Sequence, residues 1–79
     1  MLQIILYTRL GCRLCDDVKH QLDFVARELK FYINEINIED DPELRVRYGH
    51  DIPVVMVRGK EAFRHNFDGA RLRQLLGET

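Results

Sequence analysis

Between Gln3 and Ile38 the apolar pattern changes period twice, and that double change leaves few architectures open to the chain. Gln3 to Thr8 is a short, largely apolar run followed by Gly11, which suits a strand buried on both faces and central in a sheet. From Cys12 to about Lys30, the residues Leu14, Val18, Leu22, Val25 and Leu29 recur every three or four positions, the stripe of an amphipathic helix. Phe31-Tyr32-Ile33 through Ile36 and Ile38 is β-branched and aromatic with imperfect alternation, so a second strand follows directly. A strand, a helix and a strand joined this closely make a βαβ crossover, whose two strands are parallel.

The remaining elements are marked by local chemistry. Asp41-Pro42-Glu43 supplies an N-cap, a proline at the first helical position and an acid in the first turn, and Gly49 supplies the stop of a short helix. Pro53-Val54-Val55-Met56-Val57 reads as a buried strand, turned through Arg58-Gly59-Lys60 into an edge-like partner, Glu61-Ala62-Phe63-Arg64. Asp68 can cap a last helix carrying Leu72, Leu75 and Leu76, with Gly77 ending it. The expected class is therefore α/β, a four-stranded mixed sheet flanked by three helices in the order βαβαββα. With 79 residues there is room for one core, so a single domain over residues 1–79 is expected.

Several function classes are disfavoured at once. The net charge of -1 arises from both signs interspersed along the chain, which leaves no basic stripe for nucleic acid and no polybasic face for a membrane. No segment approaches the roughly 20 apolar residues needed to span a bilayer. Met1-Leu2-Gln3 leads into the first strand without a basic leader or a cleavage site, so a cytoplasmic location is expected, and a monomer. In a reducing compartment a cysteine pair is more often catalytic or metal-binding than a structural staple.

The two cysteines of the chain stand at Cys12 and Cys15, within Cys12-Arg13-Leu14-Cys15, where the strand run gives way to the helical stripe. Both sulfurs then lie on one helical turn, a spacing that suits thiol–disulfide exchange. A helix N-terminus offers unpaired amides and about half a positive charge to a thiolate, so the Cys12 pKa is expected below the free value of about 8.5. Arg9 and Arg13 add to this effect, while Asp16 and Asp17 oppose a further anion. Cys12 is thus the expected nucleophile, and Cys15, deeper in the helix, the resolving thiol. The plainer alternative is a pair of small buried helix residues without turnover. A zinc site needs four convergent ligands. His20 lies nearly opposite the apolar stripe, and neither a second Cys-x-x-Cys nor a paired-His motif joins His50 and His65, so no metal is expected. Phe24 also falls off the stripe and is expected at the surface.

The element order, the segment Tyr7-Thr8-Arg9-Leu10-Gly11-Cys12-Arg13-Leu14-Cys15 and Ile52-Pro53 ahead of the third strand resemble the glutaredoxin branch of the thioredoxin superfamily. More narrowly, Leu14-Cys15-Asp16-Asp17, Glu39-Asp40-Asp41-Pro42-Glu43-Leu44 and Phe67-Asp68 resemble the small bacterial glutaredoxin-like proteins. The resemblance implies a thioredoxin/glutaredoxin-like fold and a dithiol oxidoreductase whose redox-active disulfide joins Cys12 and Cys15. It implies a cis bond before Pro53 facing the cysteines, with the backbone of Ile52 pairing to an extended thiol substrate, and Arg9 and Arg13 beside that substrate. Arg9 matches the basic residue that glutaredoxins place before the cysteines for glutathione. Asp51-Ile52-Pro53 stands in place of the family's Thr-Val-Pro, and Arg64-His65-Asn66-Phe67-Asp68 in place of its Gly-Gly turn. Glutathione is therefore a candidate co-substrate and no cofactor is expected to be bound. The expected partners are a disulfide-containing protein or a low-molecular-weight thiol, together with a reductant that the sequence does not name. Tryptophan is absent, and with it the Trp-Cys-Gly-Pro-Cys signature of thioredoxin proper. A second reading is a non-catalytic thioredoxin-fold module that binds a partner or senses oxidation.

Overall fold

A computed structural model describes residues 2–77; Met1 and residues 78 and 79, the outer ends of the expected 1–79 unit, lie outside the described residues. The chain runs β1 (Gln3–Thr8), α1 (Arg13–Leu29), β2 (Tyr32–Asn37), a 3-10 turn (Ile38–Asp40), α2 (Pro42–Tyr48), β3 (Val54–Val57), β4 (Lys60–Arg64) and α3 (Gly69–Gly77). The sheet order is β2-β1-β3-β4, with β1 central as expected. β1 is parallel to β2, with Ile4 beside Ile33 and Thr8 beside Asn37. It is antiparallel to β3, with Leu6 beside Val55 and Tyr7 beside Val54. β3 and β4 form an antiparallel hairpin, bulged at Val55/Met56.

Side chains alternate across a strand, so this register sorts the sheet residues into two faces. Ile4 and Leu6 of β1 join Val55 and Val57 of β3, and onto them α1 lays Val18, Leu22 and Val25 while α3 lays Leu72. α2 packs on the opposite face, where the rings of Tyr7 and Tyr48 stack with centroids 4.7 Å apart and planes 18° from parallel. Because α2 has seven residues, it covers only part of that face. The expectation of a first strand buried on both faces is accordingly corrected: Ile4, Leu6 and Thr8 are buried, while Ile5 and Tyr7 are half-buried.

The helical stripe needs a second correction. Leu14 and Leu29, expected in the core, are exposed, and the buried line of α1 is Cys15, Val18, Leu22 and Val25. At 3.6 residues per turn Leu14 sits about 80° round from Leu22, at the margin of the face. Leu29 belongs to the last turn, before Lys30 adopts a left-handed φ of 56° and donates its N–H to Ala26 O at 2.8 Å. The 3-10 turn interrupts what reads as continuous strand: Asn37 Oδ1 accepts from Glu39 N at 2.9 Å and turns the chain early. The remaining caps stand where expected, with Asp41 accepting from Glu43 N at 2.9 Å and Asp68 from Ala70 N at 3.0 Å. Phe24 is exposed, as its place on the wheel requires.

This topology also sorts the loops. The segments after β1, β2 and β4 and the one before β3 all emerge at one end of the sheet, the cysteine end. At the other end, the Arg58-Gly59 turn and the second half of α3 frame a shallow hollow of about 400 Å³, lined by Val57, Arg58, Lys60, Arg71 and Leu75 among others.

Candidate active site

Cys12 is the residue that starts α1. Its backbone is extended (φ -91°, ψ 108°), its carbonyl accepts from Asp16 N at 3.1 Å, and its own sulfur accepts from Cys15 N at 3.2 Å. A sulfur thus occupies the N-cap position usually held by a serine or aspartate oxygen. Gly11, with φ 78°, lets the chain turn sharply from β1 into that cap. Cys12 and Cys15 are joined as a disulfide, their Cα atoms 5.2 Å apart. Cys12 is half-buried and Cys15 is 1% exposed, so the two sulfurs differ in access.

Around this pair stand the other residues singled out by sequence. Arg9 lies on the loop between β1 and the cap. Its Nη2 donates to Gly49 O at 3.0 Å, and its Nε sits 2.9 Å from Glu39 Oε1, an ion-pair contact without hydrogen-bond alignment. Arg45 approaches the same carboxylate at 3.9 Å. Arg13 projects from the first turn of α1 and is exposed. Ile52-Pro53 is at the same end of the sheet, immediately before β3, and the peptide bond between them is cis. Pro53 O accepts from His65 N at 2.9 Å, whereas the N–H and C=O of Ile52 have no partner among the described residues.

A cluster that sequence reasoning missed flanks this loop. Arg64 Nη1 is 3.0 Å from Asp51 Oδ2, and its Nε and Nη2 grip Glu61 in a fork at 2.9 and 2.7 Å. His65 Nε2 lies 3.6 Å from Asp51 Oδ1, and His65 holds a left-handed φ of 66°. The Arg64 guanidinium keeps the Glu61 carboxyl below the usual carboxylate range, and Glu61 and Asp51 in turn raise the Arg64 pKa. The residues are visible in sequence, but only the β3–β4 register puts Arg64 beside Val54 and so within reach of Asp51. His20 and His50 are exposed, and among the described residues no three of His, Cys, Asp and Glu gather as a metal site. No helix of the described residues is long and apolar enough to cross a membrane.

A cysteine pair at a helix N-terminus, a cis-proline loop at the same end and a β2-β1-β3-β4 sheet together define a thioredoxin-fold protein of the glutaredoxin-like class. Residues 3–77 match the family model of the glutaredoxin-like domain (DUF836), and the chain belongs to that family. It is similar to the uncharacterized protein Rv0508 of Mycobacterium tuberculosis, 36% identical over 76 residues, covering 90% of this chain and 78% of the relative. Among solved structures it resembles protein XcR50 of X. campestris, with 30% identity, a TM-score of 0.77 and coverage of 96% of this chain and 97% of the other. A mutant thioredoxin from Halobacterium salinarum shares the fold at 16% identity, with a TM-score of 0.65 over 94% of this chain and 70% of its own.

Proposed function

We propose that this protein is a thiol–disulfide oxidoreductase in which Cys12 attacks and Cys15 resolves. The reading rests above all on the position of the Cys12 sulfur. As the N-cap of a 17-residue helix it accepts the Cys15 amide at 3.2 Å, where a thiolate meets donors already in place. In the reduced form, the Cys12 thiolate displaces one sulfur of a substrate disulfide and forms a mixed disulfide. Cys15, its proton lost to solvent, then attacks the Cys12 sulfur, releases the second substrate thiolate and closes the internal disulfide. Two electrons pass to the substrate, and an external dithiol returns them. Burial of Cys15 keeps it from competing for the first attack. The unpaired backbone of Ile52 beside the cis bond supplies one donor and one acceptor for an extended substrate.

The experiment is equilibration in glutathione buffers of graded poise, acid trapping and counting of free thiols by mass, with Cys12→Ser and Cys15→Ser in parallel. A reversible two-thiol transition in the native protein, with a mixed disulfide trapped on Cys12 in the Cys15→Ser variant, is the expected result. Thiols that stay free at every poise, or modification without preference for Cys12, overturn the mechanism in favour of a non-catalytic module.

A further inference from the structure

We infer that the substrate is a disulfide carried on an extended polypeptide, with apolar and non-acidic side chains beside its cysteine, and that glutathione is a poor partner. The inference deepens the oxidoreductase reading and rests on it. Glutathione brings two carboxylates and needs cations to receive them, and two cations at this end of the sheet, Arg9 and Arg64, are engaged within the fold. Arg9 is held by Gly49 O at 3.0 Å and Glu39 at 2.9 Å. Arg64 lies between Asp51 at 3.0 Å and Glu61 at 2.7 Å. A carboxylate arriving at either guanidinium must displace one already there, and exchange of one ion pair for another leaves little net gain. Arg13 is exposed and makes no ion pair among the described residues; Asp16 and Asp17, also exposed, follow three and four positions on in the same helix and lower the positive potential beside it.

What the site offers instead is apolar. Leu10 is 85% exposed and Leu14 55%, and the two bracket Cys12 in the chain. A single exposed leucine is ordinary. Two within two positions of the half-buried Cys12, on the loop before it and the first helical turn after it, leave apolar surface at this end that an apolar side chain of a longer substrate can cover, whereas the glycine and glutamate of glutathione carry no such group. The free N–H and C=O of Ile52 suit a strand-like segment on the same side. Arg9 is on this account a positioning residue, tying the loop before Cys12 to the C-terminal end of α2.

The test uses pre-reduced protein and four probes activated as disulfides of 2-thiopyridine: a peptide with leucines beside its cysteine, the same peptide with glutamates, glutathione, and 2,2′-dithiodipyridine itself. Attack of the Cys12 thiolate forms the mixed disulfide and releases pyridine-2-thione, read by absorbance. The leucine peptide is expected to react at least about tenfold faster than the glutathione probe, which corresponds to the partial covering of two leucines. The glutamate peptide is expected to react more slowly than the leucine peptide, with the gap narrowing in salt, and equal rates for the two peptides would overturn the substrate inference. In a Leu10→Ser/Leu14→Ser variant, whose changes lie outside the core, the leucine-to-glutathione rate ratio is expected to fall toward one. If the native protein fails to release thione from 2,2′-dithiodipyridine, the oxidoreductase reading itself is overturned. If that probe reacts but glutathione matches the leucine peptide, or the ratio survives in the double variant, the substrate inference is overturned while the thiol chemistry stands.

Discussion

At Arg58 a single residue carries a conformation it does not favour. Arg58 and Gly59 have φ of 52° and 77°, two successive left-handed residues linking β3 to β4. Such a turn matches the twist of a hairpin and is best served by Asn-Gly, since an asparagine tolerates this region and an arginine pays for its Cβ. Arg58→Asn is therefore expected to stabilise the fold by roughly 0.3 to 1 kcal/mol, seen as a higher urea midpoint at unchanged slope. Cys12 shows the contrary case, a residue whose backbone is at ease while its side chain does unusual duty. That cap was legible in sequence, because the change from a strand run to a helical stripe falls on Cys12. Leu14 was not legible as a surface residue, since a leucine at helical spacing reads as core until packing shows which way the helix is rolled, and Leu10, in the loop before the helix, carried no periodic signal at all.

Elements whose ends are fixed by neighbouring residues could be placed from sequence, and those held across the fold could not. Asp41-Pro42 and Asp68 announce α2 and α3 because a cap is a bond between residues two or three apart. The contact between α1 and α3 gives no such signal: Arg73 Nε reaches Glu28 Oε2 at 2.7 Å across 45 positions of sequence. That guanidinium lowers the Glu28 pKa, so the folded chain holds fewer protons than the unfolded chain through the carboxylate range. The stabilising effect is then full above the unfolded pKa and is lost as pH falls through the folded one. Glu28→Gln should lower Tm slightly at neutral pH, and its difference from the native protein should vanish near pH 2, where the carboxylate is protonated in both states. A Tm difference that persists in acid would show that the side chain acts through packing.

For the molecule as a whole, the margin is small. A chain of 79 residues is stable by roughly 4 to 12 kcal/mol, and its core is one cluster in which α3 takes part through the fully buried Leu72. Leu72→Ala should cost about 2 to 5 kcal/mol and lower Tm by 10 °C or more, approximately, in calorimetry. The topology has one further effect. Toward the cysteine end, where Arg9, Arg45 and Arg64 face Glu39, Asp51 and Glu61, the carboxylates of Asp16, Asp17, Asp40 and Asp41 outnumber the exposed Arg13, whereas Lys30, Arg58, Lys60 and Arg71 lie toward the far end. A net charge of -1 conceals this separation. In solution the protein is an electric dipole, and a charged partner begins to turn it within about a Debye length of contact. The orientation of an encounter is thus partly settled before any side chains meet, and it weakens as the ionic strength rises.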